Sequence, residues 1–463
     1  MLSRRSFVGS AVAAFACWPN SIWADEQTLV KFGVVSDPHL TVRPESADAL
    51  RQAFARFSRE GVRAVVIAGD LCDVGTLSEL ANLTSAWTES FPDGKNALGE
   101  SVEPIVAFGN HDYHDRDYFE AKGFPKSLSE KGILFCKDVA WRMITGRAFE
   151  GEIYRRDICG VAFLAAHWSH YDDELAVWLR EHAAEIPKDR PVFFVQHSHP
   201  YETCFGKWYK SSSKTNLSVL LDHPNFFVIS GHSHIANTFE DALWQGGFVS
   251  MAAGCVGGSG GRRYEYNVGI RPDEVAVRGT RHMPPHDAGL AKLSSIVTVY
   301  PSRVAVSRWD HRFEEPAGDV WNIPFPFKHD RDHPFIVAES ASPAEFERGA
   351  SIEISQMDGV LHPLNAPEPQ IRLSFPCAVG VGTHSRVVDY RVVISRHDGG
   401  GVVAERLCAQ PKATLAERHA LLEGGCCIFG RQEIPSNVRL VAKVTPLDAA
   451  GKAGMPLTKE FTI

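Results

Sequence analysis

The chain has 463 residues, 44% of them hydrophobic and 22% charged, which is enough for about two or three globular domains with sizeable cores. Its formal net charge of −8 provides no basic surface, so we expect no long nucleic acid as a partner. An anionic substrate would have to be attracted by local positive charge, such as bound metal ions.

Residues 1–24 have the pattern of an export signal. Arg4 and Arg5 precede an apolar run that ends at Cys17, and Ala24 precedes two acidic residues. Paired arginines before a short apolar segment are typical of a twin-arginine signal, and the run is too short to cross a bilayer as a helix. We therefore expect cleavage after Ala24 and a periplasmic or secreted protein without an integral membrane segment. Cleavage before Cys17, as in a lipoprotein, and a basic tip without signal function are the less favoured alternatives.

The chain has ten cysteines and no Cys-x-x-Cys pair. A zinc site built from thiolates therefore has little support. An oxidising compartment would permit disulfides, and Cys408 could pair with Cys426 or Cys427.

Apolar strands and amphipathic helices alternate through the first half of the chain. The predicted strands are 28–35, 63–68, 102–108, 161–166, 191–195 and 226–229, and the predicted helices are 45–60, 77–87 and 172–185, with a helical turn at 217–221. Such alternation favours a layered α/β domain whose first strands are largely parallel.

The second half has a different texture. A glycine-dense stretch at 254–261 opens an irregular segment, and 295–309 predicts a hairpin that closes a second sheet. From residue 333 onward, short alternating strands with Gly and Pro turns favour a small all-β sandwich. We therefore predict the following units: a catalytic domain at 25–311, a proline-containing linker at 312–332 and a β-sandwich-like domain at 333–463.

Five predicted strands end in polar side chains that could bind metal. These side chains are Asp37 and His39, then Asp70, then Asn110, His111 and Asp112, then His197, and finally His232 and His234. In open α/β sheets, sites form where strands end and loops begin. Carboxylate, imidazole and amide donors without thiolate suit Mn, Fe, Zn or Mg. Because this set is larger than one ion needs, Asp70 could bridge two ions, which would polarise a phosphoryl oxygen and generate hydroxide at neutral pH.

Each motif alone has an ordinary structural interpretation. Asp-Pro-His and Gly-Asp after a strand are common turns, and His-Ser-His can be an exposed loop. Their repeated occurrence at successive strand ends is what favours a metal site.

The ordered set Asp-x-His, Gly-Asp, Gly-Asn-His-Asp, His and Gly-His-x-His resembles the calcineurin-like metallophosphoesterase family, over residues 28 to about 311. The resemblance implies an α/β fold, a double β-sandwich flanked by helices. It implies one metal site made by Asp37, His39, Asp70 and His234, and a second made by Asp70, Asn110, His197 and His232. It also implies that His111 contacts the phosphate and either stabilises the transition state or protonates the leaving oxygen, with Asp112 orienting the imidazole.

Two further positions refine the resemblance. In purple acid phosphatases of the same superfamily, a tyrosine three residues after the bridging aspartate binds ferric iron, whereas this chain has Asp73 there. A ferric enzyme is therefore disfavoured. The segment Trp321-Asn322-Ile323-Pro324 matches a Trp-x-x-Pro linker found in exported bacterial members.

The sequence thus predicts an exported phosphoesterase with two metal ions, which hydrolyses a small phosphate ester by attack of metal-bound hydroxide. A phosphodiester is favoured over a phosphomonoester. The candidate substrate contacts are Arg262, Arg263 and Tyr264, followed by Tyr113, His114 and His167. The alternative from another class is a metal-binding interaction scaffold without activity, and a nuclease is disfavoured by the acidic charge balance.

Overall fold

The computed structural model describes residues 26–113, 136–204, 212–234, 237, 242–257, 292–311, 314–317, 320–329, 343–359, 368–379, 387–409, 424–448 and 453–463. The predicted signal at 1–24 and the candidate substrate contacts His114, Arg262, Arg263 and Tyr264 lie outside these ranges. Within them, no helix combines the length and apolar composition that crossing a bilayer requires.

Two sheets and five α-helices form the larger part of the described chain. In chain order the elements are β1 (Val30–Val35), α1 (Asp48–Arg59), β2 (Ala64–Ala68), α2 (Leu77–Ser90), β3 (Glu103–Ala107), α3 (Lys137–Thr145), β4 (Ile153–Ile158), β5 (Val161–Ala166), α4 (Asp173–Glu181), β6 (Val192–Val195), α5 (Lys214–Leu221), β7 (Phe226–Ser230), β8 (Leu243–Trp244), β9 (Val249–Ala252), β10 (Leu293–Val299), β11 (Arg303–Asp310), β12 (Glu315–Pro316) and β13 (Trp321–Pro324).

The first sheet has the strand order β12-β11-β10-β1-β2-β3, with β13 also paired to β11. Strands β1, β2 and β3 run parallel, as their apolar composition and the intervening helices predict. On its other side β1 pairs antiparallel with β10, from Val30 opposite Val299 to Val34 opposite Ser295.

Two expectations about the segment after β9 need correction. The hairpin predicted at 295–309 joins the first sheet rather than closing a second one, because it supplies the backbone partners that β1 needs on its open side. Part of the segment predicted as a linker, 312–332, is also sheet: β13 pairs with β11, and Trp321 and Ile323 are buried. Pro316 and Pro324 are tolerated because they are the last residues of the short strands β12 and β13.

The second sheet has the order β4-β5-β6-β7-β9-β8. Strands β5, β6, β7 and β9 are parallel, and β4 and β8 are antiparallel strands at the two edges. Sequence periodicity had not located α3, β4, β8 or β9, of which β8 has only two residues.

The two sheets pack face to face with helices outside. Phe32 of β1 contacts Phe163 of β5 and Phe193 of β6 edge-on, at 5.0 and 4.8 Å between ring centroids. On the opposite face of β1, the ring of Phe57 in α1 packs against Gly33. A separate core between the second sheet, α4 and α5 contains Leu175, Leu179, Leu220, Leu164, Phe194 and Val228. The predicted double β-sandwich flanked by helices is confirmed.

The described C-terminal residues form two small antiparallel sheets. One contains β14 (Glu353–Gly359), β15 (Glu368–Pro376) and β18 (Gly424–Gly430), and the other β16 (Val387–Arg396), β17 (Val402–Ala409), β19 (Leu440–Asp448) and β20 (Leu457–Phe461). They share a core that includes Leu373, Phe429, Tyr390 and Val392, so the predicted all-β unit is confirmed. Cys408 on β17 forms no disulfide with Cys426 or Cys427, which lie on β18 in the other sheet.

Candidate metal centre

The polar side chains predicted at strand ends converge at one edge of the sandwich. They lie on the loops that follow β1, β2 and β3 of the first sheet and β6 and β7 of the second. The first two loops stay hydrogen-bonded beyond the strands, because the N–H groups of Asp37 and His39 donate to the carbonyls of Gly69 and Asp70 at 3.0 Å each. Parallel strands thereby bring residues that are distant in sequence to one place.

A first group consists of Asp37, His39, Asp70 and His234. All four are buried, and one ligand atom from each lies within 4.8 Å of the others. Nε2 of His234 is 3.1 Å from Oδ1 of Asp37 and 3.0 Å from Nε2 of His39. Nitrogen lone pairs and carboxylate oxygens that face one another at such distances can hold a divalent cation.

A second group consists of Asp70, His197 and His232. Nε2 of His197 is 3.1 Å from Oδ2 of Asp70 and 3.2 Å from Nδ1 of His232. The same Oδ2 of Asp70 lies 3.6 Å from Nε2 of His39, a member of the first group. Asp70 therefore stands between the two groups, as a bridging ligand would.

The charges in the cluster call for a cation. Burial disfavours the ionised form of Asp37, yet the neighbouring His234 and His197 together outweigh burial, and the pKa of Asp37 is lowered to about 2. Burial likewise opposes ionisation of Asp70, but His197 and His39 hold its pKa well below the usual range. Burial lowers the pKa of His197, while the charge of Asp70 raises it to a net value of about 9. Two buried carboxylates thus need positive charge, which a proton on His197 or a metal cation can provide.

Asn110 offers an independent test of whether these residues fit a metal. Its side-chain Oδ1 is buried and has no hydrogen-bond partner among the described residues. A buried amide oxygen without a partner costs about 1–3 kcal/mol. The next residue, His111, donates its backbone N–H to Oδ1 of Asp70 at 2.9 Å, so Asn110 lies directly beside the proposed bridging carboxylate. An orphaned oxygen donor in this position fits the predicted second metal site.

The backbone of the cluster is strained. Five candidate ligands have positive φ angles that L-residues rarely adopt: Asp37 at 51°, His39 at 42°, Asp70 at 51°, His232 at 68° and His234 at 53°. Such conformations cost about 1–3 kcal/mol each and persist where the surroundings hold them in place. Their concentration on the ligands indicates that the fold is organised around this cluster.

Two glycines permit the close approach of these loops. A Cβ atom on Gly231 would lie 1.8 Å from Oγ of Ser36 and 2.4 Å from Oδ2 of Asp37. A Cβ atom on Gly109 would lie 2.2 Å from Oδ1 of Asp70. The glycines of the Gly-Asn-His-Asp and Gly-His-x-His motifs are therefore required, because a larger residue would clash with the candidate ligands Asp70 and Asp37.

Backbone groups orient the ligands from behind. Nδ1 of His197 lies 2.7 Å from the carbonyl oxygen of Ala68, so Nδ1 carries the hydrogen and Nε2 faces Asp70. The backbone N–H of His232 donates to both carboxylate oxygens of Asp37 at 3.1 Å, and Oγ of Ser36 donates to Oδ2 at 2.6 Å. These contacts fix the carboxylate and the imidazole before any ligand binds.

His111 is half-buried and lies edge-on to His39, with 4.7 Å between ring centroids. Its Nδ1 donates to the carbonyl oxygen of Asp73 at 2.7 Å. The expectation that Asp112 orients this imidazole is therefore wrong. The two oxygens of Asp112 instead accept the backbone N–H groups of Cys72, at 2.9 Å, and Gly109, at 2.8 Å.

Asp112 thus holds the loops after β2 and β3 together. Burial and the nearby charge of Asp70 raise its pKa to about 7, although the backbone N–H groups of Gly109 and Cys72 act in the opposite direction. The sequence could not reveal this exchange of roles, because a backbone carbonyl leaves no side-chain pattern.

The other candidate substrate contacts, His167 and Tyr113, pack against side chains of the protein itself. His167 is buried between Phe108 and Phe149, and its Nδ1 accepts the backbone N–H of Phe108 at 3.0 Å. It therefore supports the strand that leads into Asn110 rather than meeting substrate. Tyr113 packs on Phe108, and its hydroxyl lies 3.4 Å from Oε2 of Glu152.

Two residues near the cluster were not singled out from the sequence. The half-buried indole of Trp168 lies 5.5 Å from the ring of His232 and 5.8 Å from that of His197. His199 is fully buried, with its pKa lowered to about 3 by burial, and bonds two serines next to the histidine ligands. A lone tryptophan after a strand and a second histidine after Gln196 carry no specific sequence signal.

The chain matches the model of the calcineurin-like phosphoesterase family over residues 30–236. It is also 30% identical, over 184 residues, to a probable cyclic nucleotide phosphodiesterase of Rhodopseudomonas palustris. That match covers 38% of this chain, and the chain spans 59% of the length of the relative.

Among solved structures, the chain is similar to the purple acid phosphatase PPD1 of yellow lupin, with 14% identity and a TM-score of 0.40, over 65% of this chain and 54% of the other. It is also similar to vacuolar protein sorting 29 of Cryptosporidium parvum, with 10% identity and a TM-score of 0.29, over 65% of this chain and 98% of the other. With TM-scores below 0.5, neither similarity bears on the fold or the function. The matched motifs, however, coincide with the residues that the fold brings together. Residues 30–236 belong to the calcineurin-like phosphoesterase family.

Proposed function

We propose that this protein is an exported, metal-dependent phosphoesterase that hydrolyses a small phosphate ester, and a diester in preference to a monoester. The observation that carries the proposal is the position of Asp70, whose Oδ2 lies 3.1 Å from Nε2 of His197 and 3.6 Å from Nε2 of His39. A carboxylate oxygen between two imidazole groups suits a bridge between two cations. The family of residues 30–236 supports the reaction class.

Asp37, His39, Asp70 and His234 would hold one ion, and Asp70, Asn110, His197 and His232 the other. Two bound cations, of Mn, Fe, Zn or Mg, would neutralise charge on the phosphoryl oxygens and make a water molecule more acidic. The donor set is carboxylate, imidazole and amide, which does not select one of these metals.

In this proposal His111 protonates the leaving group. Because the Asp73 carbonyl accepts the hydrogen on Nδ1, Nε2 is the ring nitrogen that can exchange a proton with the substrate. A proton on Nε2 would pass to the ester oxygen as its bond to phosphorus breaks. The cationic ring would also attract the phosphate before that transfer.

Two observations support a diester. The relative from Rhodopseudomonas palustris is named as a probable cyclic nucleotide phosphodiesterase. In addition, the half-buried Trp168 offers an aromatic face next to His232, where the second alcohol group of a diester could pack.

Export is supported by the paired Arg4 and Arg5 before the apolar run that ends at Cys17. Replacing both arginines by lysine should retain the protein in the cytoplasm, whereas the native chain should reach the periplasm or medium with a new N-terminus near Asp25. Fractionation and N-terminal sequencing would check this. A native chain that stays in the cytoplasm uncut would contradict export.

The test of activity compares bis(p-nitrophenyl) phosphate with p-nitrophenyl phosphate as substrates of metal-stripped protein, after addition of Mn²⁺, Zn²⁺, Fe²⁺ or Mg²⁺. We expect metal-dependent turnover that is faster with the diester and is lost in His111→Ala. Two ions bound per chain without turnover of either substrate would instead favour a metal-binding scaffold.

A further inference from the structure

We propose that His199 is a positioning residue that fixes both histidine ligands of the loop after β7 through hydrogen bonds to two serines. The inference rests on the proposed metal site and adds a residue to its support. His199 lies on the loop after β6, two residues beyond His197.

The side chain of His199 connects two residues of the turn that carries the ligands. Its ring is fully buried, with Nδ1 2.7 Å from Oγ of Ser230 and Nε2 2.8 Å from Oγ of Ser233. Ser230 is the last residue of β7, and Ser233 separates His232 from His234. One imidazole therefore spans the whole turn that carries the two ligands. Since serine hydroxyls occupy both of its nitrogens, His199 is not itself placed to bind a metal.

This turn needs external support. His232 and His234 have φ angles of 68° and 53°, in a region that L-residues rarely adopt. Inside the turn, the N–H of Ser233 donates to the carbonyl of Gly231 at 2.8 Å. The N–H of Gly231 donates to the carbonyl of His197 at 2.8 Å. The side chain of His199 adds a further connection between the same two loops, and it reaches the segment between the ligands.

The two hydrogen bonds of His199 have defined donors and acceptors. A neutral imidazole has one donor and one acceptor, so the two serine hydroxyls must play opposite roles. Oγ of Ser230 lies 3.5 Å from the carbonyl oxygen of Met251, to which it can donate, so it accepts from Nδ1–H of His199. Nε2 then accepts from the hydroxyl of Ser233. A side chain without both functions breaks the connection at one or both ends.

The first test variant is His199→Phe, which keeps a planar ring and removes both hydrogen bonds. Ser233→Ala removes one bond and leaves the imidazole in place. The matched control is Thr203→Val, because the buried hydroxyl of Thr203 lies on the same loop and bonds Oγ of Ser250 at 3.1 Å, away from the ligand turn. All three are compared as purified full chains.

The measurements are calorimetric titration with Mn²⁺ and with Zn²⁺, and the melting temperature of the metal-free protein. We expect the dissociation constants of both ions to rise about ten-fold to a hundred-fold in His199→Phe, because supporting contacts of metal ligands have effects of this size. Ser233→Ala should fall between that variant and the native protein. Thr203→Val should lower the melting temperature without changing either dissociation constant.

The inference is overturned if His199→Phe binds both ions as tightly as the native protein. It is also overturned if Thr203→Val raises the dissociation constants of the ions as much as His199→Phe does. If His199→Phe does not fold, the comparison of Ser233→Ala with Thr203→Val decides in the same way. A native protein that binds neither ion would refute the proposed metal site itself, which is a separate outcome. At saturating metal, Ser233→Ala should recover most of the native kcat, as expected for a residue that positions ligands.

Discussion

The carbonyl oxygen of Asp73 lies 2.7 Å from Nδ1 of His111 and accepts its hydrogen. The carboxylate of the same residue lies 3.6 Å from Nδ1 of His39, a candidate metal ligand. One residue therefore contacts the proposed acid through its backbone and the proposed metal site through its side chain. The two functions can be separated by mutation.

Asp73→Ala keeps the carbonyl and removes the carboxylate. We expect metal affinity to fall about ten-fold, since the carboxylate supports His39, while kcat at saturating metal stays within about three-fold of native. Calorimetry and steady-state kinetics would measure the two quantities. A loss of kcat of about a thousand-fold at saturating metal would show that the carboxylate, and not the carbonyl, orients His111.

Asp112→Asn tests the role of the residue after His111. One of the two carboxylate oxygens would become an NH₂ group that faces a backbone N–H donor, at Cys72 or at Gly109. We expect the free energy of unfolding to fall by about 1–3 kcal/mol in urea titrations, with kcat of the folded protein nearly unchanged. If the variant keeps the native stability but loses most of its kcat, Asp112 orients the imidazole of His111 after all.

Asn110→Ala should bind one ion per chain fewer than the native protein, because it removes the orphaned Oδ1 that we assign to the second site. Asn110→Asp keeps an oxygen in the same position and should bind the native number of ions. Metal analysis after gel filtration would measure the stoichiometry. Native stoichiometry and affinity in Asn110→Ala would remove Asn110 from the ligand set.

Glu79 makes stability depend on pH at a site away from the metal ligands. It closes the capping box of α2 by accepting the N–H of Thr76 at 3.0 Å. Burial raises its pKa from 4.5 to about 7, although hydrogen bonds from Thr76 and Val74 act in the opposite direction. The folded state therefore binds the proton more tightly than the unfolded state. The stability that this protonation contributes is complete below about pH 4.5 and is lost as the pH rises through about 7.

In Glu79→Gln the cap is kept and the ionisation is removed. Between pH 5 and pH 8, we expect the free energy of unfolding of the native protein to fall by at most about 3 kcal/mol relative to this variant, measured in urea titrations. Parallel pH profiles for the two proteins would show that Glu79 does not titrate in this range.

Trp168→Ala tests the preference for a diester. If the indole packs on the second alcohol group, KM for bis(p-nitrophenyl) phosphate should rise about five-fold, in keeping with the energy of an aromatic contact, while kcat changes little. KM for p-nitrophenyl phosphate should rise less, and Trp168→Phe should restore most of the affinity for the diester. Equal effects on both substrates would assign the indole to the support of His197 and His232.

The clustering of the candidate ligands could be predicted from the sequence because each motif that carries them follows an apolar strand, and the strand ends of a parallel sheet lie at one edge. Asp37, Asp70 and His197 are examples. The support of these ligands could not be predicted. It depends on backbone carbonyls, as at Asp73, and on pairs of side chains that are distant in sequence, as at His199 and Ser233.

The placement of β10 and β11 was missed for a related reason. Alternating apolar residues identify a hairpin, but they do not say which open strand it will join. The partner of Val30 is Val299, and only the assembled sheet specifies that pairing.

This pairing sets an order of events during synthesis. Strand β1 is synthesised before its parallel neighbours β2 and β3, which follow soon after it in the chain. Its antiparallel partner β10 is synthesised only after all the strands of the second sheet. Until then its outer backbone groups have no strand to pair with, and a nascent chain that ends before Leu293 presents an apolar sheet edge open to other chains. Fragments designed to retain the metal cluster should therefore extend at least through Pro324, the end of β13, rather than stop at the last histidine ligand.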